Sequence, residues 1–295
     1  MQTQCWACSS CAGRVQGLLP SSFYTQNWEK GGSSKAQADA RNQQYLLPDM
    51  MKPTSLFCLL YFLVLLLGFI CVALTGYWVQ QWHGGFSLQG SELFNWHPVC
   101  MTTGLIVLYG SAALVYRLPF SWTGPKLRWK LLHASLTLAA FLVSVLGLVA
   151  VFKFHSDHKI SHLYSLHSWL GLAAVILFSC QWFTALYTFL LPWASIWLRS
   201  LYKPVHVFFG TVILTLSLAA AVAGFNEKLI FSLDPRVNGS LAYSSLPPEA
   251  RFVNALGMLM VVFGLLVLWM LFRPAWQRPG TSISEARQPL LEDEE

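Results

Sequence analysis

The sequence has 295 residues, of which 55% are hydrophobic and only 11% are charged. Soluble globular domains carry about 25% charged residues, so this composition excludes an ordinary water-soluble fold and indicates lipid as the solvent. The formal net charge is +6, and long neutral stretches separate the charged clusters. These neutral stretches are the candidate membrane spans.

Six apolar stretches contain no Lys, Arg, Asp or Glu, and each has about the 20 residues that a helix needs to cross a bilayer. In chain order they are Leu56–Val79, Pro98–Tyr116, Leu131–Phe152, Leu163–Leu191, Pro204–Phe225 and Phe252–Phe272. The first stretch follows about 50 largely polar residues and is too long for the apolar region of a cleavable signal peptide. The sequence therefore predicts an all-α membrane protein with six transmembrane helices.

The six spans divide the chain into three parts. Residues 1–51 are predicted to be a disordered cytosolic extension, because they lack hydrophobic periodicity. A C-x-x-C-x-x-C run at residues 5–11 has no fourth ligand nearby, and we interpret it as part of that extension rather than as a metal site. Residues 52–272 form the six-helix domain. Residues 273–295 form a cytosolic tail in which Glu285–Leu291 resembles a dileucine sorting signal.

The distribution of positive charge predicts the orientation of the spans, since cytosolic segments carry the excess of Lys and Arg. With the N-terminus in the cytosol, 14 of the 19 basic residues are cytosolic, and five face the opposite side: Lys153, Lys159, Lys228, Arg236 and Arg251. The glycosylation sequon at Asn238 also falls on the non-cytosolic side, where it is predicted to be modified. Both termini are therefore expected in the cytosol.

Four histidines occur one per helix at the start of spans two to five. Because successive spans run in opposite directions, His97 and His167 are predicted at the non-cytosolic level, and His133 and His206 at the cytosolic level. A single histidine at such a position is usually an interfacial anchor. Four that pair by depth favour a functional role, because ionisable groups within spans are costly.

Two histidines at each of two levels suit a planar haem with one axial imidazole on each face. Zinc is the competing metal, but a structural zinc site needs four ligands at one point. With both axial positions filled, a haem iron favours electron transfer over oxygen activation. The alternative is a haem-free transporter or channel in which the histidines relay protons.

The cytosolic end is rich in basic side chains near the histidines. They are Arg117, Lys126, Arg128, Lys130, Arg199 and Lys203. The positive-inside bias accounts for part of this cluster. Since residues four apart share a helix face, Lys126 and Lys130 could together attract a small anionic reductant.

The opposite end carries a histidine-rich loop, with His155, His158 and His162 between Lys153 and Tyr164. His83, in the loop after span one, is a candidate to join them. Histidine is a common metal ligand, so the loop either binds a metal ion or its chelate or is simply solvated.

These residues make the sequence similar to the cytochrome b561 family of ascorbate-dependent transmembrane oxidoreductases, and within it to the lysosomal (late endosomal) branch. The resemblance covers residues 52–295 and rests on histidine separations of 36, 34 and 39 residues. It also rests on three motifs: Phe-Asn-Trp-His-Pro at 94–98, Ala-Leu-Val-Tyr-Arg at 113–117 and Tyr-Ser-Leu-His-Ser-Trp at 164–169.

The resemblance implies a six-helix bundle whose central four helices, spans two to five, hold two b-type haems. His97 and His167 would ligate the non-cytosolic haem, and His133 and His206 the cytosolic one. The residues that match the family's cytosolic ascorbate site are Arg117, Lys126, Lys130 and Arg199. Those that match its opposite substrate site are Phe152, His155 and Tyr164.

The activity implied is electron transfer from cytosolic ascorbate to ferric iron or its chelates on the lumenal side. Monodehydroascorbate remains an alternative acceptor for the same di-haem carrier. The resemblance further implies a homodimer in the late endosomal or lysosomal membrane. No nucleic-acid partner is expected.

Overall fold

The computed structural model describes residues 53–122, 125–239 and 241–277 of the chain. Over these residues the secondary structure is helical, and six helices are long and apolar enough to cross a membrane. We name them spans 1 to 6: Thr54–Trp82, Ser91–Arg117, Lys126–Asp157, Leu166–Leu190, Ile196–Ser232 and Pro248–Phe272. The prediction of six spans is confirmed. The cysteine run at residues 5–11 and the dileucine-like segment lie outside the described residues.

Three spans begin well before the positions predicted from apolar content. Span 2 begins at Ser91 rather than Pro98. Span 3 begins at Lys126 rather than Leu131. Span 5 begins at Ile196 rather than Pro204, because the Ser195 hydroxyl caps it by accepting the amide hydrogen of Leu198 at 3.3 Å. A prediction based on apolar residues places the helix start after the last charged residue. Backbone hydrogen bonding instead continues into the interface, where Lys and Arg extend their charged groups toward water.

Span 2 is assembled from several short helical segments rather than one regular α-helix. They are a 3₁₀ turn at Ser91–Asn95, an α-helix at Trp96–Met101, a π-helical segment at Thr102–Leu108, an α-helix at Tyr109–Ala113 and a 3₁₀ turn at Val115–Arg117. Wider π turns inside α-helices are frequent at functional sites. The sequence predicted a single continuous helix, since composition carries no signal for the change in helical period.

Spans 2, 3, 4 and 5 form a closed ring in which each packs against two of the others. Span 2 contacts span 3, span 3 contacts span 4, span 4 contacts span 5, and span 5 returns to span 2. Spans 1 and 6 pack against each other outside this ring, span 1 also against span 2 and span 6 also against span 5. The ring places the four histidine-bearing helices side by side.

The helices expose apolar side chains and bury small polar ones, which is the distribution expected in lipid. Phe69 is 70% exposed, and Leu146 and Leu265 are 63% and 60% exposed. Ser144 and Ser217 are buried in the interior, and each hydroxyl donates to the carbonyl four residues earlier. Every polar group inside a bilayer must be satisfied within the protein, so these local bonds allow hydroxyls in the core.

Candidate functional site

The structure brings the four histidines together as two pairs inside the ring of spans 2 to 5. The ring centroids of His97 and His167 lie 5.9 Å apart, and the two planes are nearly perpendicular at 88°. Those of His133 and His206 lie 6.2 Å apart at 76°. Each pair joins two helices that are far apart in sequence. We call the two ends of the ring the His97 end and the His133 end.

Three of the four imidazoles are oriented by a hydrogen bond to a backbone carbonyl of a neighbouring span. His97 Nδ1 lies 3.1 Å from the oxygen of Gly147, and His133 Nδ1 lies 2.9 Å from the oxygen of Ala112. Each of spans 2 and 3 thus provides a carbonyl oxygen to the histidine of the other. His167 Nδ1 lies 2.7 Å from the Ala220 oxygen on span 5. Metal-ligating histidines almost always make this kind of second bond, which leaves Nε2 available as the ligand.

The fourth histidine departs from this pattern. His206 Nδ1 is buried and has no hydrogen-bond partner among the described residues. Its ring is instead enclosed by aromatic side chains, with Phe189 at 5.5 Å and Tyr202 at 6.0 Å between centroids. Packing, rather than a hydrogen bond, therefore orients this imidazole.

The two pairs lie at levels separated by most of a bilayer core. Gly147, which contacts His97, follows His133 by 14 residues on span 3, and Ala220, which contacts His167, follows His206 by 14 residues on span 5. At 1.5 Å of rise per residue, both intervals correspond to about 21 Å. Two independent helices therefore give the same separation.

The expectation that every histidine lies at the start of its span is wrong for three of them. His97 lies six residues into span 2, although it is in the first turn of the α-helix Trp96–Met101. Leu166 begins the span 4 helix, capped reciprocally by Ser165 and Ser168, so His167 lies in the first turn as expected. His133 and His206, however, lie seven and ten residues inside helices that begin at Lys126 and Ile196. The extra turns lift the basic ends of spans 3 and 5 above the histidine level.

The spacing of the paired rings fits a metal held between them. A metal–imidazole bond is about 2 Å long, and the ring centroid lies about 1 Å beyond the ligating nitrogen, so two rings on opposite sides of one metal should have centroids about 6 Å apart. The observed 5.9 and 6.2 Å match this value. With two nitrogen ligands at each level, the pairs fit the axial positions of a planar haem.

Gly224 provides the space for one of these rings. A Cβ atom on Gly224 would lie 2.6 Å from Cε1 and 2.7 Å from Nδ1 of His167. Only a residue without a side chain allows span 5 to approach the imidazole this closely. Gly224 therefore belongs to the site, although nothing in its sequence context indicated this.

At the His133 end, basic side chains converge on the turn between spans 4 and 5. Lys130 Nζ donates to the carbonyl of Phe189 at 3.1 Å, and Arg199 Nη2 donates to that of Leu191 at 3.3 Å. Lys130 also interacts electrostatically with both Arg199 and Lys126. Arg117 ends span 2 at the same end, next to Tyr116, whose ring lies 5.5 Å from that of His133.

The described residues supply no carboxylate near Lys130 and Arg199. The acidic residues of the described ranges all lie at the His97 end: Glu92, Asp157, Glu227, Asp234 and Glu249. Arg199 Nε is buried with no hydrogen-bond partner among the described residues. Basic side chains held close together attract anions, and Lys130 lies three residues before His133 on span 3.

At the His97 end, the loop between spans 3 and 4 gathers aromatic and histidine rings. The rings of His155 and His162 stack at 5.6 Å, and Phe152 lies 5.2 Å from His162. Tyr164 lies near the carboxylate of Glu227 on span 5. Partial burial and this neighbouring carboxylate both raise the pKa of Tyr164.

The loop is not arranged as a closed metal cage. No three His, Cys, Asp or Glu side chains in the described ranges are positioned to hold one metal ion. His83 does not join the loop histidines, and this expectation is wrong. Its Nε2 lies 2.9 Å from Oε1 of Glu249 on span 6, because a carboxylate buried at a helix start needs hydrogen-bonding partners.

Comparison with known proteins identifies the fold. Residues 96–232 match the family described as eukaryotic cytochrome b561. The chain belongs to the cytochrome b561 family. It is 57% identical over 230 residues to the lysosomal membrane ascorbate-dependent ferrireductase CYB561A3 of Mus musculus, which covers 78% of this chain and 94% of that protein. It is 59% identical over 230 residues to the Homo sapiens protein of the same name, with the same coverage.

A second group of relatives has a different location in its name. The plasma membrane ascorbate-dependent reductase CYBRD1 of Xenopus tropicalis is 46% identical over 235 residues, covering 79% of this chain and 81% of that protein. Membership of the cytochrome b561 family implies a haem b cofactor. The stretch that matches the family, residues 96–232, contains all four paired histidines.

Three side chains at the His97 end were missed by the sequence-based interpretation. Glu227 contacts Tyr164, Lys228 Nζ lies 4.5 Å from the centroid of the Phe94 ring, and Glu249 binds His83. Charged residues at the ends of apolar spans resemble ordinary interfacial residues, so only their contacts distinguish them.

Asn238 ends a short helix, Pro235–Asn238, and Ser240 of its sequon lies outside the described residues.

Proposed function

We propose that this protein is a transmembrane ferrireductase that passes electrons from cytosolic ascorbate through two b-type haems to ferric iron on the lumenal side. The observation that carries the proposal is the pairing of four histidines at two levels about 21 Å apart, with ring spacings of 5.9 and 6.2 Å. His97 and His167 ligate one haem, and His133 and His206 ligate the other. Haem supplies a one-electron centre at each level.

The His133 end is the donor end in this proposal. Ascorbate is an anion at neutral pH, and Lys126, Lys130 and Arg199 together provide a positive surface. Arg117 completes the site from span 2. Lys130 and Arg199 are already fixed by bonds to the backbone, so binding an anion requires little further ordering of these side chains. One electron leaves each bound ascorbate, and its proton is released to the cytosol.

The His97 end is the acceptor end. Phe152, His155 and Tyr164 present an aromatic surface with imidazole and phenol groups, extended by His162 and the Glu227 carboxylate. Such a surface suits a ferric chelate, whose ligands can be hydrogen-bonded from outside while the iron keeps its own coordination. Ferric iron gains one electron there and leaves as ferrous iron.

The relatives and the charge distribution support the proposed location and orientation. Relatives named lysosomal membrane ferrireductases support a place in the late endosomal or lysosomal membrane. The excess of Lys and Arg at the His133 end supports cytosolic termini, and glycosylation at Asn238 would then be lumenal. The protein acts as a homodimer in this proposal, with residues 1–51 and 273–295 as cytosolic extensions of the 52–272 domain.

A vesicle experiment tests the proposed function. The purified holoprotein is reconstituted with ascorbate trapped inside and a ferric chelate outside, and ferrous iron is measured outside with a colorimetric chelator. We expect ferrous iron to form well above the level of protein-free vesicles, because electrons cross while the charged reactants stay on their own sides. Vesicles without trapped ascorbate are the control.

Other outcomes identify the alternatives. A purified protein without a haem spectrum would overturn the proposal in favour of a proton-relaying transporter. Haems that ascorbate reduces, combined with no ferrous iron outside, would replace ferric iron by another acceptor. Monodehydroascorbate supplied outside would then be tested in its place.

Replacing both Lys126 and Lys130 by alanine should slow haem reduction by ascorbate. Since electrostatic steering contributes factors of roughly 10 to 1,000 to association rates, we expect about a tenfold loss at low ionic strength. The loss should shrink at high salt, where charges are screened. Stopped-flow absorbance of haem reduction measures the rate, and haem content should remain that of the wild type.

Arg128→Ala is the matched control for this double variant. It removes a positive charge from the same helix start, but Arg128 is exposed and lies two residues from Lys126, on a different face of the helix. Its reduction rate should stay close to that of the wild type. An equal slowing in Arg128→Ala, or an unchanged rate in the double variant, would remove the donor site from this surface.

A further inference from the structure

A buried carboxylate joins spans 1 and 6 at the His97 end. Glu249, in the first turn of span 6, is only 7% exposed. Its Oε1 accepts a hydrogen bond from Trp78 Nε1 at 3.0 Å and lies 2.9 Å from His83 Nε2. Burial of a carboxylate is costly unless it is paired and hydrogen-bonded, and two donors on one oxygen compensate for part of this cost.

The ammonium group of Lys228 on span 5 also interacts with this carboxylate. Lys228 is half-buried, and its Nζ lies 4.5 Å from the centroid of the Phe94 ring. A lysine over an aromatic face gains cation–π energy that increases when the pair is desolvated. The Phe94 ring thus contacts this cation, and the Glu249 carboxylate attracts it from a greater distance.

The cation is next to one histidine pair. The Phe94 ring lies 6.0 Å from the ring of His97 between centroids, so a single aromatic ring separates the cation from the ligand. The nearest carboxylate on span 5 is Glu227, which is engaged by Tyr164. Lys228 is therefore connected to His97 through one aromatic ring, that of Phe94.

We infer that Lys228 raises the reduction potential of the centre held by His97 and His167, and that the Glu249 carboxylate limits the size of this effect. The inference rests on the proposed function, since it concerns a haem at that level. Reduction adds one negative charge to the centre, and a nearby half-buried cation stabilises that state while a carboxylate opposes it. Such charges act strongly where the surroundings are of low dielectric constant.

Opposite shifts in two variants test the inference. We expect Lys228→Met to lower the midpoint potential of the His97 centre and Glu249→Gln to raise it, while the His133 centre stays unchanged. Both substitutions preserve side-chain size, and the glutamine oxygen can still accept from Trp78. Spectroelectrochemical titration of the purified holoprotein measures both midpoints, and the step that disappears in His167→Ala assigns the His97 centre.

Two further variants separate charge from structure. Lys228→Arg keeps the cation and should leave the midpoint near that of the wild type. Lys159→Met removes an exposed lysine from the same end and should change neither midpoint. Shifts of the same sign in Lys228→Met and Glu249→Gln, or no shift in Lys228→Met, would overturn the inference. Absence of haem from the wild type would instead overturn the proposed function.

Discussion

If the proposed function is correct, His167→Ala is expected to lose about half of the haem of the wild-type protein, because one of the two proposed haems loses a ligand. Among the paired histidines, His167 has the shortest orienting bond, 2.7 Å from Nδ1 to the Ala220 oxygen. Haem per polypeptide is measured by the pyridine haemochrome assay on purified protein. Thermal stability should fall as well, since a ligand bound only to the folded state stabilises it.

His158→Ala is the control for this loss. His158 is also at the His97 end, but it is exposed, and its Nδ1 bonds to the carbonyl of Phe154 in its own helix. Full haem content is expected in this variant. Imidazole added during purification should partly restore the haem of His167→Ala by occupying the vacated position. Full haem content in His167→Ala would contradict the assignment of the pair.

Gly224→Ala is expected to weaken the same centre without touching a ligand. The new methyl group would lie 2.6 Å from the His167 ring, so the ring or span 5 must move, and overpacking of this kind costs about 1–3 kcal/mol. Replacing a helical glycine by alanine usually stabilises the helix by roughly 0.5–1 kcal/mol, which is smaller than this overpacking cost. We therefore expect lower haem occupancy at the His97 centre and a lower unfolding temperature, measured by haem absorbance on heating.

Gly257→Ala is the matched control, because it makes the same chemical change in span 6. A Cβ atom on Gly257 would meet nothing within 4 Å, so only the helix-forming gain remains. Its haem content should equal that of the wild type, and its unfolding temperature should be equal or higher. A wild-type response in Gly224→Ala would show that span 5 and the imidazole are not in close contact.

The spans and the histidine pairs could be predicted because they depend on two simple features, the length of the apolar runs and the alternating direction of successive helices. A run of 20 uncharged apolar residues has few alternatives to a membrane helix. Alternating helix direction then assigns each histidine to a level, and the structure places the rings of both predicted pairs about 6 Å apart. The helix starts at Lys126 and Ile196 could not be obtained in this way, because interfacial turns are charged.

The contacts at the His97 end could not be predicted from the sequence. His83 and Glu249 are 166 residues apart, and their meeting depends on how spans 1 and 6 pack outside the ring. His83 was grouped with the loop histidines because both lie at the same end of their spans. The prediction placed His83 at the correct end of the membrane, but it placed His83 next to the wrong helices, because His83 contacts Glu249 on span 6. Only the packing of the helices determines where a residue lies around the bundle.

The reciprocal bonds between spans 2 and 3 have a consequence for insertions and deletions. The interval from His133 to Gly147 is 14 residues, which is about four helical turns, so both positions lie on nearly the same face of the helix. One residue added within this interval would rotate Gly147 by about 100° away from His97. The interval from His206 to Ala220 has the same length and the same constraint. These two intervals must therefore keep their number of residues if both histidine pairs are to form.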